Sequence, residues 1–279
     1  MQPMEEGGGK EKLKEFLDRK VLEYNKPAFI EADPVCIPHR FTQRQDIEIA
    51  GFFAAIFAWG NRTIIINKSG ELLKRMDNSP YQFIRHLDDT GRKALLSFKH
   101  RTFNTTDLLY FVDFLHFHYA KHDSLESAFS LWMDRHDPTI EKGLRGFHRY
   151  FFSIPDAPPR TKKHIATPDR NSTCKRLNMY LRWMVRKDRQ GVDFGIWKEI
   201  SPAQLVCPID LHVARVAKRF GLINRNAVDW QTALELTEEL RRFDASDPAK
   251  YDFSLFGLGV VEKFKELVKK PGSVLPGFL

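Results

Sequence analysis

The sequence predicts an all-α protein. Apolar residues recur at three- and four-residue intervals along nearly the whole chain, no segment alternates as a half-buried strand does, and capping residues recur at helix-length intervals. Residues 11–24 place Leu13, Phe16, Leu17, Val21 and Leu22 on one face, with Gly7-Gly8-Gly9 before them reading as a flexible tether. Residues 46–58 (DIEIAGFFAAIFA) are almost wholly apolar and predict a buried helix. The next helix, 61–76, carries Ile64, Ile65, Leu72 and Leu73. Asn78-Ser79-Pro80 then supplies a cap and a proline at the first helical position, so a helix restarts there. Thr105-Thr106-Asp107 caps a long aromatic helix reaching His122, and 124–135 and 138–152 read as two more. Four prolines within 154–170 exclude a regular helix, so this segment is a loop. Helices resume at 173–187, 208–220, 229–243 and about 248–269. Gly221 stops the second of these, Asp229 caps the third, and Pro271-Gly272 ends regular structure. The total is ten to a dozen helices, without an internal repeat.

Composition narrows the function classes. The 279 residues include 23 Phe, ample for a core of one large domain spanning 1–279. No apolar run approaches the roughly 20 residues that span a bilayer. Met1-Gln2-Pro3-Met4-Glu5-Glu6 is not a secretory signal, so a cytoplasmic protein is expected, which the DNA reading given below makes nucleoid-associated. Cys36, Cys174 and Cys207 are widely spaced and form no CxxC pair, against a zinc or iron–sulfur centre. The chain carries a net +8. Residues 160–190 hold ten Lys/Arg (Arg160, Lys162, Lys163, Arg170, Lys175, Arg176, Arg182, Arg186, Lys187, Arg189) against Asp169 and Asp188, so this one segment equals the excess of the whole. Charge so concentrated is the footprint of nucleic-acid binding; the alternative is a solvated loop and helix face.

Two segments carry chemistry. In Cys174-Lys175-Arg176-Leu177-Asn178, Lys175 opens a helix, where the dipole and nearby Arg170 and Arg176 disfavour an ammonium and favour a nucleophilic amine. A phosphate contact, or solvent, is the simpler role. In Pro208-Ile209-Asp210-Leu211-His212-Val213, Asp210 opens the next helix. Its simplest role is an N-cap, which also keeps a carboxylate ionised, as an electrostatic stabiliser must be. His212 is either a partly buried structural histidine or a contact to phosphate or substrate. An amine that attacks carbon beside a carboxylate that stabilises a cation is the minimum equipment for breaking a glycosidic bond through an imine.

Lys175-x-x-Asn178-x-x-Leu181, followed by Pro-x-Asp210-x-His212-Val213-x-Arg215-Val216-x-x-Arg219-x-Gly221-Leu222, resembles the core of the helix-hairpin-helix DNA glycosylase superfamily. The resemblance touches residues 46–76 and 170–260. It implies a two-lobed helical fold with a cleft: lobe A about 45–187, lobe B about 10–30 plus 205–270. It further implies a DNA glycosylase with AP-lyase activity, closest in style to the oxidised-guanine enzymes. Lys175 would be the Schiff-base nucleophile and Asp210 its electrostatic partner. Asn61 or Arg62 occupies the turn where the family places its duplex wedge. Lys162, Lys163, Arg170, Arg176, Arg182 and His212 are candidate DNA contacts. Trp59 or Phe253 would stack on the flipped base, although core packing is the commoner fate of such aromatics. The expected partner is double-stranded DNA with a lesion, met by a monomer without cofactor. The chain departs from the family in two places. The family's Leu-Pro-Gly-Val-Gly hairpin is replaced by Asp169-Arg170-Asn171-Ser172-Thr173-Cys174, and an insertion occupies about 187–201. A non-catalytic nucleic-acid-binding protein on the same fold is the alternative. A second is a metal enzyme built on the aromatic helix carrying Asp113, His116, His118 and His122, which lacks an HExxH pattern.

Overall fold

The computed structural model describes residues 6–261, and these are mostly helical, as the periodicity predicts. The longest helix, α1 (Glu6–Tyr24), begins earlier than expected. Gly7, Gly8 and Gly9 lie within its first turn and are not a tether. A short α2 (Ala28–Glu31) and two 3-10 turns (Pro34–Cys36, Pro38–Arg40) lead to α3 (Arg44–Phe57).

α3 is buried from Asp46 to Phe57, the consequence of apolar residues all round it. It packs on α4 (Arg62–Arg75), α5 (Pro80–Arg85) and α10 (Lys175–Val185). Three wholly buried phenylalanines, Phe52, Phe53 and Phe57, each contribute about 2–3 kcal/mol from area alone. The α3–α4 turn depends on Gly60 at φ +100°, where a Cβ would lie 2.2 Å from Arg101 Nη1.

After α6 (Asp89–Ala94), Lys99–His100 pairs antiparallel with Phe103–Asn104, two residues a side. This bridge is too short for any alternation to announce. Asn104 caps α7 (Thr105–Tyr119) through a capping box with Asp107, one residue before the expected cap. The helix expected over 124–135 shrinks to α8 (Ser127–Ser130), and α9 runs Glu141–Phe151. The prolines of 154–170 exclude α-helix but permit 3-10 turns at Pro159–Lys163 and Pro168–Arg170.

α11 (Leu211–Arg219) and α12 (Trp230–Phe243) follow, capped by Asp210 and Asp229 as expected. The final helix begins as a 3-10 turn (Pro248–Tyr251), continues as α13 (Asp252–Phe256) and widens to π geometry over Gly257–Val261. Its expected end near 269 and the stop at Pro271-Gly272 lie outside the described residues. α13 packs on both α1 and α11, which brings the first and last described helices together. Gly257 permits this, since a Cβ there would lie 2.3 Å from the Tyr24 ring.

Candidate active site

The two helix openings singled out in the sequence meet in space. Lys175 is the first residue of α10 and Asp210 is the N-cap of α11. Lys175 Nζ donates to Asp210 Oδ2 at 2.7 Å across 35 residues of sequence. The carboxylate's two oxygens divide their work. Oδ1 accepts from the backbone N–H groups of His212 (2.8 Å) and Val213 (3.0 Å), so the cap role and the lysine contact coexist. Burial opposes the charge of Asp210, but Lys175 and the two N–H donors outweigh it and hold its pKa below the ordinary carboxylate value. Both side chains remain about a quarter exposed, so the pair is open to a ligand.

The loop before Lys175 replaces the hairpin glycines by other means. Asn171 (φ 53°) and Cys174 (φ 50°) both adopt the left-handed conformation. Asparagine tolerates this region; a buried cysteine there is uncommon and costs on the order of 1 kcal/mol. Asn178 Nδ2 donates to Thr173 O at 3.0 Å and Trp230 N to Asn171 O at 3.2 Å, which fix the loop against α10 and α12.

Behind the pair, α10 and its C-cap residue present Lys175, Arg182 and Arg186 at spacings of seven and four residues, along one face. Arg182 is buried and pairs with Asp252, the first residue of α13, and with Asp193. Arg186 binds Asp193 (2.6 Å), Asp247 (2.8 Å) and Asp188 (2.9 Å). Burial pushes Asp252 up to about 6 despite Arg182 and Lys175. Burial likewise raises Asp33, at the head of the first 3-10 turn, although Arg182, Arg62 and Lys175 pull the other way. A cavity of about 650 Å³ opens beside Arg186, Asp188, Asp247, Asp18 and Asn25. Eleven residues of helix rise, roughly 16 Å, separate it from Lys175, so it is not part of this site.

The other expected residues scatter. Arg182 is inside the protein, held by carboxylates, and presents no surface for a phosphate. Arg176 is likewise drawn inward. Its guanidinium donates to Ile56 O (2.6 Å) and His164 O (3.2 Å) and lies 5.0 Å from the Trp59 ring, with no carboxylate partner among the described residues. Phe253 is 1 % exposed, covered by Arg182 at 4.2 Å and Phe29 at 5.5 Å, and belongs to the core. Trp59 is half-buried among His100, His164 and Arg176. Asn61 is exposed and caps α4 by accepting from Ile64 N; Lys162, Lys163, Arg170 and His212 are exposed.

Three apolar residues near the pair, one of them aromatic, escaped the sequence reading. Half-buried Phe256 lies beneath both Arg62 (4.9 Å) and Lys175 Nζ (6.0 Å), so it, not Phe253, is the ring that adjoins the amine. One helical turn separates the two, and a three-residue rotation decides which faces the site. Ile64, one of the apolar residues that mark this helix in the sequence, is 53 % exposed in the first turn of α4, and Leu211 is 60 % exposed at the head of α11. Both are solvent-facing apolar residues within a few positions of Arg62 and Asp210.

The histidine-rich helix is committed to structure. His118 Nε2 donates to Ser124 O (2.9 Å), leaving Nδ1 to accept from Tyr150 O–H (3.1 Å), and His116 Nδ1 meets Ile84 O at 2.7 Å. Asp113 pairs with Arg92. Among the described residues no three His, Cys, Asp or Glu stand close enough to hold a metal, and no helix is long and apolar enough to cross a membrane.

No curated protein and no solved structure matches this chain. A family match covers most of its length, from the 3-10 turn that carries Asp33 to the end of the π segment, and takes in both Lys175 and Asp210. Residues 33–261 match DUF2400, described as "Protein of unknown function", and the chain belongs to that family.

Proposed function

We propose that this protein is a DNA glycosylase with lyase activity, excising a damaged base, of which an oxidised purine is the first candidate, through a Schiff base on Lys175. The observation that carries the reading is the 2.7 Å contact between Lys175 Nζ and an Asp210 whose other oxygen is fixed by two backbone N–H groups. An amine that attacks carbon must first give up a proton, and Asp210 Oδ2 is the acceptor at hand. Nζ then bonds to the sugar C1′, the C1′–N bond breaks, and the electron pair leaves with the base, which takes the proton. The proton passes from Asp210 to the departing base, so the carboxylate is ionised again and stabilises the positive charge that develops on the sugar. Sugar ring opening gives the imine, and β-elimination nicks the strand. The likeness of both helix openings to the helix-hairpin-helix glycosylases supports the same reading, as does the order of parts around the pair. Phe256 offers a face for a flipped base, and Asn61, Arg62 and Ile64, at the head of α4 with Arg62 over that same ring, would supply the wedge that enters the duplex. Exposed Lys162, Lys163 and Arg170 supply phosphate contacts and hence affinity that falls with salt.

The experiment is borohydride trapping on duplexes carrying an abasic site, oxidised guanine, oxidised pyrimidine, uracil or no lesion. A covalent adduct with the wild type that is absent with Lys175→Ala is expected, strongest on one lesion class. Salt-sensitive duplex binding with no adduct on any substrate would discard the Lys175 chemistry and leave a non-catalytic DNA-binding protein.

A further inference from the structure

The hairpin over residues 99–104 brings a free cation onto the turn between α3 and α4. Its strands, Lys99–His100 and Phe103–Asn104, leave Arg101 and Thr102 as a two-residue turn. The inward residues anchor it. His100 Nε2 donates to Phe57 O at 3.1 Å, its ring meets Trp59 edge-on at 4.9 Å, and Phe103 packs edge-on against Phe57 at 5.1 Å. Arg101 and Thr102 are exposed, and Arg160 Nη2 donates to Thr102 O at 3.0 Å, which ties the tip to the proline-rich segment. The Arg101 guanidinium lies on Gly60: a Cβ there would stand 2.2 Å from Nη1 and 3.3 Å from Cζ. Gly60 is followed by exposed Asn61 and by Arg62, whose guanidinium lies 4.9 Å from the Phe256 ring. The turn over 60–62 therefore touches the hairpin tip at its first residue and the ring beside Lys175 at its last. Two properties of Arg101 are not explained by the fold. It adopts φ 55° at the first position of a two-residue hairpin turn, where glycine or asparagine would sit without strain. Among the described residues its guanidinium has no ion pair and no hydrogen bond. Residues 95–104 hold no carboxylate, and Asp107, the nearest in sequence, is buried and engaged by Thr161, Arg160 and His164.

We propose that the Arg101-Thr102 tip is a duplex-binding element working beside the wedge turn, in which Arg101 takes a backbone phosphate next to the wedge and Arg160 holds the tip in place. The duplex as partner rests on the DNA reading above; the contact itself does not depend on Lys175 chemistry. A duplex opened at Asn61 and Arg62 carries its backbone across the residues adjoining that turn, and Arg101 already lies on one of them. An unpaired guanidinium offers two parallel N–H donors to a phosphate and loses little freedom in doing so, because its hairpin is fixed from below by His100 and Phe103. Glycine would serve the turn better than arginine does, so the side chain, not the backbone, is what this position contributes. A phosphate contact adds affinity and orientation without preference for a base, so damaged and undamaged duplexes gain from it equally.

The test is duplex binding by fluorescence anisotropy over a salt series, on undamaged and abasic-site duplexes, with the full chain as wild type, Arg101→Gly and Arg101→Gln, beside thermal melts of each. Both variants should lower the slope of log affinity on log salt by about 1 and weaken the two duplexes by the same factor. Arg101→Gly should melt no lower than the wild type, since it relieves the turn. A wild-type slope in both variants overturns the contact. A loss of binding in Arg101→Gly alone, with a lower melting temperature, overturns it too, because the hairpin and not the cation is then responsible. Weakening confined to the abasic-site duplex places Arg101 at the reacting sugar and overturns a backbone contact. A wild type that binds neither duplex overturns the DNA reading and this contact with it, whereas one that binds with the expected variant effects but forms no borohydride adduct overturns the Lys175 chemistry alone.

Discussion

Asp210 shows how one residue serves fold and site together. Its Oδ1 closes two of the orphan N–H groups of α11, and its Oδ2 faces Lys175. Asparagine caps as well as aspartate does, and a partly exposed ion pair is worth little. Asp210→Asn should therefore change stability by less than about 1 kcal/mol while reducing trapping about a hundredfold. Paired thermal melts and borohydride assays decide this. Unchanged trapping in a stable Asn variant would reduce Asp210 to a cap. The phenylalanines of α13 part in the opposite way. Phe253→Ala should cost about 3–5 kcal/mol in denaturant unfolding, because it empties a buried site. Phe256→Ala should cost far less and weaken binding of a lesion duplex relative to an undamaged one, since its ring adjoins the amine.

At the scale of elements, the inserted segment after α10 is the least legible part of the chain and among the best anchored. Phe194 N and Trp197 N donate to the α10 carbonyls of Trp183 and Met184, satisfying groups that a helix C-terminus leaves open. Trp197 Nε1 reaches Glu48 on α3 at 2.8 Å, and Glu199 N reaches Glu126 at 2.6 Å. Glu48 is wholly buried and also accepts from Tyr119 O–H, Ser124 O–H, Leu125 N and Arg44 Nε. It ties α3, α7, the 124–126 loop and the insertion at one carboxylate. Glu48→Ala should destabilise the fold by about 3–5 kcal/mol by chemical denaturation, because it strands four neutral donors at a wholly buried point. A cost under about 1 kcal/mol would show that the insertion docks by apolar contacts alone.

For the whole molecule, a buried histidine weakens the fold in acid. Burial lowers His118 to about 4, whereas the unfolded chain titrates it near 6.5. The unfolded state therefore binds more protons between these values, and stability falls as pH drops from about 6.5 towards 4. His118 alone accounts for about 3 kcal/mol of this loss. Asp252, raised to about 6 by burial, acts in the opposite sense over the same range, so the net change mixes the two. Comparing wild type with His118→Gln cancels the Asp252 contribution. The wild type's stability advantage at pH 7 should shrink on acidification and be nearly gone by pH 4. A difference independent of pH would mean that His118 is not buried as a neutral ring.

The sequence by itself determined the all-α class, the start of most helices and the two residues that meet at the site. It did so because caps, proline positions and the apolar period act locally: Asp210, Asp229 and Pro80 do their work within one turn of themselves. It misread the glycines of α1, which a helical turn accommodates, and gave Arg182 and Phe253 to the surface of the site. Only tertiary structure decided those, because a charge or ring faces inward or outward according to what packs on it. Arg182 is buried since Asp193 and Asp252, 11 and 70 residues further on, arrive to neutralise it. Phe256 rather than Phe253 adjoins Lys175 because the rotation of α13 against α1 and α11 fixes which side of the last turn turns toward the amine. The 2.7 Å Lys175–Asp210 contact is likewise a product of packing, since each residue's place on its own helix is legible in the sequence but the distance between the two helix openings is not.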